Sequence, residues 1–213
     1  MTYGYFDTDR KEYVITRPDT PRPWTNYIGS AEFGGVLTNN AAGYCFYRSA
    51  AQGRLTRFTF NAPAANLPGR FVYLRDRDSH VYWSNSWLPV APPRDKFEYE
   101  CRHGAGYTIV TSRFAGITSD VTYFVPPGEL YETWRISVAN SGETPRRITV
   151  FPYAEPQCNW NANDDATNLQ FTQFIARTAL EGGMIDIASN VNMPRDPERF
   201  WNKDQKRHTL FGV

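Results

Sequence analysis

The segment richest in polar side chains is Cys158–Gln170, which reads CNWNANDDATNLQ and lies between two predicted strands. Amides and carboxylates of this kind form paired hydrogen bonds with sugar hydroxyls, and an indole face covers the apolar face of a sugar ring. The segment therefore fits saccharide binding. The alternative is a polar connecting loop anchored by one tryptophan, since loops are polar in most proteins. The candidate substrate-binding residues are Trp160, Asn161, Asp164, Asp165, Asn168 and Gln170.

Other reactive arrangements are weakly represented in the sequence. The three histidines do not pair with cysteine or glutamate at the spacing of a zinc site, so no metal site is predicted. Gly104-Ala105-Gly106 lacks the third glycine of a dinucleotide-binding loop and predicts a tight turn. Cys101, beside Arg102 and His103, fits either an activated thiol or a small buried side chain. We prefer the second interpretation, because cysteine is usually buried.

Charge and composition exclude several classes of partner. The 213 residues carry 23 Lys and Arg against 22 Asp and Glu, a formal net charge of +1. This balance predicts no nucleic-acid partner and no attraction to an anionic membrane surface. No run approaches the about 18 apolar residues of a membrane helix. The three cysteines and the lack of a secretory signal at the start predict free thiols and a cytoplasmic location.

The elements that must position these residues are predicted to be strands along the whole chain. Aromatic and β-branched runs alternate with Gly, Pro, Asn and Asp, as in Tyr107–Ser112, Ser119–Val125 and Glu132–Ala139. Leu55–Phe60 is another predicted strand. No window has the spacing of an amphipathic helix. Strands at intervals of about a dozen residues indicate an all-β fold, a large antiparallel β-sandwich.

Short blocks of residues follow one another in a fixed order along the chain. They are Tyr3–Asp7, Glu12–Thr16, Thr20–Gly29, Gly43–Arg48, Leu55–Phe58, Gly69–Leu74, Cys101–Thr108, Tyr123–Pro126 and Asp164–Asn168. No single block is specific, but their order along the chain is. In this order they resemble the inverting disaccharide phosphorylases of glycoside hydrolase family 94, a group that includes the cellobiose, chitobiose, laminaribiose and cellobionic acid phosphorylases.

The resemblance implies a domain order. Enzymes of the family have an N-terminal β-sandwich, a helical linker, an (α/α)6 catalytic barrel and a small C-terminal β domain. Residues 1–213 are expected to be the N-terminal sandwich, incomplete at its end, with the other three parts beyond residue 213. The family's general acid and phosphate-binding residues lie on the barrel. The resemblance therefore implies no catalytic residue in these 213 residues.

The resemblance also implies the reaction, the partners and a role for the polar segment. We expect the full-length enzyme to split a β-linked glucosyl disaccharide reversibly, with inversion, into a sugar 1-phosphate and a free acceptor. Its partners are the disaccharide and inorganic phosphate as co-substrate, with no cofactor, and the enzyme is expected to be a homodimer. In such enzymes the loop matching Trp160–Gln170 reaches the acceptor end of the active site across the subunit interface.

One departure from the family pattern affects the substrate. Cellobiose phosphorylases typically have Asn-Phe-Gln-Arg where this chain has Asn168-Leu169-Gln170-Phe171. The missing guanidinium would supply up to five hydrogen-bond donors, so its loss weakens a plain cellobiose assignment. Cellobionic acid, another glucosyl disaccharide and a longer oligosaccharide stay open as substrates. The alternative function is a non-catalytic carbohydrate-binding β-sandwich.

Overall fold

The computed structural model describes residues 2–58, 69–158, 161–167, 176–189 and 207–212. The chain divides into two compact units. Unit 1 consists of Met1–Cys45 and Thr56–Glu155, and unit 2 consists of Phe46–Leu55 and Pro156–Val213. The described strands and the α-helix are β1 (Gly4–Asp7), β2 (Glu12–Ile15), β3 (Thr25–Gly29), β4 (Phe33–Thr38), β5 (Gly43–Tyr47), β6 (Arg70–Asp76), β7 (Tyr82–Ser84), β8 (Glu98–Gly104), β9 (Tyr107–Phe114), β10 (Ile117–Phe124), β11 (Thr133–Asn140), β12 (Ile148–Ala154), α1 (Ala162–Thr167), β13 (Arg177–Glu181), β14 (Met184–Ser189) and β15 (Arg207–Gly212).

The largest element of unit 1 is a six-stranded antiparallel sheet in the order β1-β2-β8-β9-β10-β11. Along β10, buried and half-buried residues alternate strictly, because successive side chains point to opposite faces of a sheet. Val110, Val121 and Tyr123 are completely buried on the inner face. The outer face carries charged residues such as Arg102 and Arg135. The sheet therefore has one face in the core and one face open to ligands or solvent.

Two three-stranded sheets complete unit 1, in the orders β12-β6-β7 and β3-β4-β5. All six residues of β4 are buried, so this strand is enclosed on both faces. The turn after β4 is buried as well. The amides of Asn39 and Asn40 donate to the carbonyl of Pro18 at 3.2 and 2.8 Å, which satisfies polar groups that water cannot reach.

The sheet of unit 2 is built differently, with β14 between β13 and β15. All five residues of β13 are exposed. On β14, Ile187 is buried, whereas Met184 and Ile185 are more than 40% exposed. The described part of this sheet thus buries little apolar surface of its own.

The all-β antiparallel prediction is confirmed, and the differences from it are local. The strands around Tyr107–Phe124 were predicted within two residues of their bounds. The described part of the predicted strand Leu55–Phe60 is not a regular strand: Thr56 forms an isolated bridge and Phe58 none. Strands β3 and β8 were not predicted. In β8 the alternation of charged with apolar residues was present in the sequence and indicates a half-buried strand.

Candidate functional site

The polar segment predicted to bind sugar is partly described by the structure. Trp160, Asn168 and Gln170 lie outside the described residues, as does the side chain of Asp164, which belongs to α1. Asn161 and Asp165 are described, and they lie within one turn of each other. The Asp165 N–H donates to the carbonyl of Asn161 at 3.0 Å.

The segment forms a short helix where a loop between strands was expected. Asn161 stands at the helix start, and its Oδ1 accepts a hydrogen bond from the Asn163 N–H at 3.0 Å. An asparagine in this position caps a helix, because it satisfies a backbone N–H that has no partner within the helix. The amide of Asn161 therefore stabilises α1 directly, in addition to any contact it makes with a sugar.

Asp165 is a buried residue of the helix. It is only 4% exposed, as is Gln157 shortly before the helix. A carboxylate buried to this degree contributes to the local fold, since buried charges are held by polar partners. The exposed polar residues of the helix are Asn163 and Thr167, and the Thr167 hydroxyl donates to the carbonyl of Asn163 at 2.8 Å.

The other part of the site is the loop at residues 46–55. The Ala162 N–H at the start of α1 donates to the carbonyl of Ala51 at 2.8 Å, which joins the helix to this loop. The loop is ordered by its own bonds: the hydroxyl of Ser49 accepts from the backbone N–H groups of Ala51 and Gln52 at 3.3 Å. The Arg54 Nε donates to the carbonyl of Ala50 at 3.0 Å.

This loop supplies cationic groups that the sequence analysis did not include among the site residues. Arg48 is exposed, has a positive φ of 57° and places its guanidinium 4.9 Å from the centre of the Tyr47 ring. Guanidinium, amide and hydroxyl groups are the usual hydrogen-bonding partners of a sugar in a protein. The available signal was the family match that ends at Arg48, next to the turn-forming run Ser49–Gly53.

One described carboxylate has the raised pKa that a general acid would need. Glu132 is the described carboxylate whose pKa is raised, and burial is the main cause, with Arg70 and Trp134 acting in the opposite direction. A raised carboxyl pKa is typical of general acids. However, the Glu132 side chain is only 5% exposed, and Oε1 lies 2.9 Å from Nε of Arg70. The residue is enclosed in the core of unit 1, where no substrate reaches it.

The thiol interpretation of Cys101 is decided in the same way. Cys101 is completely buried in β8, and burial raises its pKa far above that of a free thiol. The neighbouring His103 is also mostly enclosed, and burial lowers its pKa. Nε2 of His103 lies 3.2 Å from the Trp24 carbonyl, and this contact acts on the His103 pKa in the opposite direction to burial. Cys101 is a packed core residue, as preferred from the sequence, and all three cysteines are free.

The described residues include neither a metal-binding cluster nor a membrane-spanning helix. Within the described ranges, no three His, Cys, Asp or Glu side chains are grouped so that they could hold a metal ion. The described helices include none with the length and apolar character needed to cross a membrane.

Comparison with known proteins gives a consistent set of relatives. The family model "Glycosyl hydrolase 94, supersandwich domain" matches residues 11–211. The N,N'-diacetylchitobiose phosphorylase of Vibrio proteolyticus is 44% identical over 186 residues, which are 87% of this chain and 23% of the relative. The solabiose phosphorylase of Paenibacillus borealis is 30% identical over 159 residues, 72% of this chain and 20% of the relative. The cellobionic acid phosphorylase of Neurospora crassa is 33% identical over 86 residues, 40% of this chain and 11% of the relative. The chain spans less than a quarter of the length of these relatives.

Proposed function

We propose that this chain is the N-terminal β-sandwich of an inverting disaccharide phosphorylase. The chain belongs to the glycosyl hydrolase 94 supersandwich family. The observation that carries the proposal is the 44% identity to a phosphorylase over 87% of the chain. Such identity across nearly the whole domain supports a shared role in a longer enzyme. The barrel and linker expected from the family are part of the proposal.

The proposed reaction needs one carboxylic acid and a bound phosphate. An inverting hydrolase uses one carboxyl group as acid and a second as base to activate water. Here a phosphate oxygen forms the new bond to the anomeric carbon while the glycosidic C–O bond breaks. The acid transfers its proton to the leaving oxygen, which becomes a hydroxyl of the acceptor. No base is required, because phosphate is already a nucleophile.

The substrate of the proposed enzyme is a β-linked disaccharide, and we propose the N-acetylglucosamine disaccharide N,N'-diacetylchitobiose first. Two relatives that are named for this substrate share 44% and 42% identity with the chain. The solabiose and cellobionic acid phosphorylases share less, 30% and 33%. The glucosyl disaccharide expected from the sequence, cellobiose or cellobionic acid, is the second candidate.

The role proposed for this domain is to form a wall of the acceptor pocket and a dimer surface. The helix α1, its cap Asn161 and the 46–55 loop support this role, because the bond from the Ala162 N–H to the Ala51 carbonyl joins the amide-rich segment to the loop that carries Arg48 and Arg54. The residues proposed to shape the pocket are Trp160, Asn161, Asp164, Asp165, Asn168 and Gln170. The proposal also includes a homodimer, a cytoplasmic location and no cofactor besides inorganic phosphate as co-substrate.

The experiment is an assay of the full-length protein with inorganic phosphate and each of three disaccharides: N,N'-diacetylchitobiose, cellobiose and cellobionic acid. We expect formation of a sugar 1-phosphate, fastest with N,N'-diacetylchitobiose, and none from residues 1–213 alone. Faster turnover of cellobiose would make cellobiose the substrate and would leave the proposed reaction unchanged. Sugar binding without any sugar 1-phosphate from the full-length protein would overturn the phosphorylase and favour a carbohydrate-binding module.

Alanine variants test the pocket. In the synthetic direction, Asn168→Ala should raise the acceptor KM several-fold, because one lost hydrogen bond costs roughly 0.5–1.5 kcal/mol. Asn161→Ala should in addition lower the free energy of unfolding by about 1 kcal/mol, the usual cost of losing a helix cap. The phosphate KM should stay nearly constant in both. Unchanged acceptor kinetics in every variant would mean that this segment is only a scaffold.

A further inference from the structure

An open groove of about 670 Å³ lies over the outer face of the six-stranded sheet in unit 1. Its size falls within the roughly 300–1,000 Å³ of small-molecule sites. Its lining includes the side chains of Ser30, Tyr107, Ile109, Thr122, Phe124 and Arg135.

Strand register places these side chains in two rows on one face of the sheet. Tyr107 is directly opposite Phe124, and Thr122 is directly opposite both Ile109 and Arg135. Residues directly opposite each other on neighbouring strands share a face, so each row runs across the strands. The first row is aromatic. The second combines an apolar side chain, a hydroxyl and a guanidinium.

The ring of Tyr107 lies flat on the sheet because Gly104 has no side chain. A Cβ added at Gly104 would lie 2.4, 2.7 and 2.8 Å from Cζ, Cε1 and Cε2 of the Tyr107 ring. Three such short distances to atoms of one ring mean that the ring covers the place of the missing side chain. Any residue larger than glycine at position 104 would push the ring away.

The orientation of this ring is held by a buried carboxylate. The Tyr107 hydroxyl donates to Oε1 of Glu12 at 2.6 Å, and Nη1 of Arg102 donates to Oε2 of Glu12 at 2.8 Å. The bond to Glu12 is the first cause of the raised pKa of Tyr107. One face of the ring rests on Gly104, so the opposite face points away from the sheet, on the side of the groove that Tyr107 lines. The aromatic surface is thus preorganised in the absence of a ligand, and preorganisation lowers the entropic cost of binding.

The polar groups of the groove are donors. Arg135 is exposed, and among the described residues its guanidinium has neither an ion pair nor a hydrogen bond. The described lining contains the hydroxyls of Ser30 and Thr122 and no carboxylate. A planar guanidinium offers parallel N–H groups that match two adjacent oxygens. An aromatic face with such donors at its side is the chemistry that recognises a sugar ring and its hydroxyls.

We infer that this groove binds a neutral β-linked saccharide, with one sugar ring on Tyr107 and hydroxyls bonded by Arg135 and Thr122. This saccharide site goes beyond the proposed function. Only the choice of N,N'-diacetylchitobiose as the probe rests on the proposed function. A protein partner would instead need a wider apolar surface than this groove offers.

The test measures how many N,N'-diacetylchitobiose molecules bind to each full-length chain at equilibrium, without phosphate. We expect Tyr107→Ala to bind one disaccharide molecule fewer per chain, or to bind one of them at least roughly tenfold more weakly. A tenfold loss of affinity is about 1.4 kcal/mol of binding free energy. Gly104→Ala should give the same loss, because its Cβ displaces the ring. Tyr107→Phe should bind within about threefold of wild type, since it keeps the ring.

The matched control is Tyr82→Ala, which removes a tyrosine that is 63% exposed and does not line the groove. Unchanged stoichiometry and affinity in Tyr107→Ala, or an equal loss of binding in Tyr82→Ala, would overturn the proposal that the groove binds a saccharide. If Tyr107→Ala does not fold, Arg135→Ala is tested in its place, because the Arg135 side chain is exposed. Arg135→Ala should weaken binding of the disaccharide at least threefold. An unchanged affinity would overturn the proposal. Phosphorolysis by the wild type is measured separately. A protein that shows no phosphorolysis but binds the disaccharide in the groove would contradict only the proposed function.

Discussion

Two arginines of unit 1 face carboxylates in opposite surroundings. The Arg70 side chain is fully buried, and its Nε meets Oε1 of Glu132 at 2.9 Å in an ion-pair contact without hydrogen-bond geometry. Arg102, 17% exposed in its side chain, contacts Glu100 at 2.6 Å, Glu12 at 2.8 Å and Asp7 at 3.2 Å. The first pair is enclosed, and the second is a network at the outer face of the sheet.

The enclosed pair is incompletely satisfied. Within the described residues, Nη1 of Arg70, Oε2 of Glu132 and the Tyr123 hydroxyl have no hydrogen-bond partner, whereas Nη2 of Arg70 donates to the carbonyl of Val36 at 3.1 Å. Two charges out of water cost several kcal/mol each, and their mutual attraction only partly offsets this. The network of Arg102 uses its donors on three carboxylates and also orients Tyr107 through Glu12. Arginine–carboxylate contacts thus lie enclosed in the core at Arg70, whereas at Arg102 they orient the Tyr107 ring at the sheet surface.

The largest expected effect comes from breaking the enclosed pair. Glu132→Leu leaves the Arg70 guanidinium buried without a counter-charge, which should lower the free energy of unfolding by about 3–5 kcal/mol. Urea unfolding of both proteins at neutral pH measures this. The double variant Arg70→Met/Glu132→Leu should recover most of the loss, because it removes both charges. No recovery in the double variant would show that packing, not charge, stabilises this region.

A smaller effect is expected from filling the space beside the pair. A Cβ on Gly35 would lie 3.1 Å from Oε2 of Glu132, 3.3 Å from the Tyr44 carbonyl oxygen and 3.4 Å from Nη2 of Arg70. Gly35→Ala should therefore lower the free energy of unfolding by about 1–3 kcal/mol, the usual cost of overpacking a core. The control is Gly142→Ala, at an exposed site whose added Cβ meets only a side-chain oxygen at 3.4 Å. Equal effects of the two changes would contradict the crowding.

The smallest effect is a change in acid sensitivity at the surface network. A hydrogen bond from the Arg10 N–H, with a further one from Arg102, holds the pKa of Asp7 below its usual 3.8. Burial raises the pKa of Glu12, but the bonds from Tyr107 and Arg102 outweigh it and hold the value below 4.5. Groups with lowered pKa values stabilise the fold above their usual pKa, and this stability is lost as the pH falls through the folded value.

Arg102→Met should therefore reduce the loss of stability between about pH 4.5 and the acid limit, because the two carboxylates return toward their usual pKa values. Urea midpoints measured from pH 7 to pH 2 test this. Arg113→Met is the matched control, since Arg113 and Glu98 form an exposed pair 3.6 Å apart. An acid limb that is identical in wild type and Arg102→Met would mean that Arg102 does not tune these groups.

The sequence by itself determined the fold class, because alternation of apolar and polar residues is a property of neighbours along the chain. The inner positions of β10 could be read from ITSDVTYF alone. Family membership was equally readable, since it depends on the order of short blocks. The short helix Ala162–Thr167 could not be predicted in this way, because six residues are too few to show a hydrophobic period.

Only the tertiary structure decided which groups meet. Arg70 and Glu132 are far apart in the chain, as are Glu12 and Tyr107, and no local pattern links either pair. The tight turn at Ala105 and Gly106 pairs Gly104 with Tyr107 locally, but only the pairing of β2 with β8 brings the Glu12 carboxylate within reach of the Tyr107 hydroxyl. The physical reason is that side-chain pairing in a sheet follows strand order and register, which depend on the packing of the whole domain.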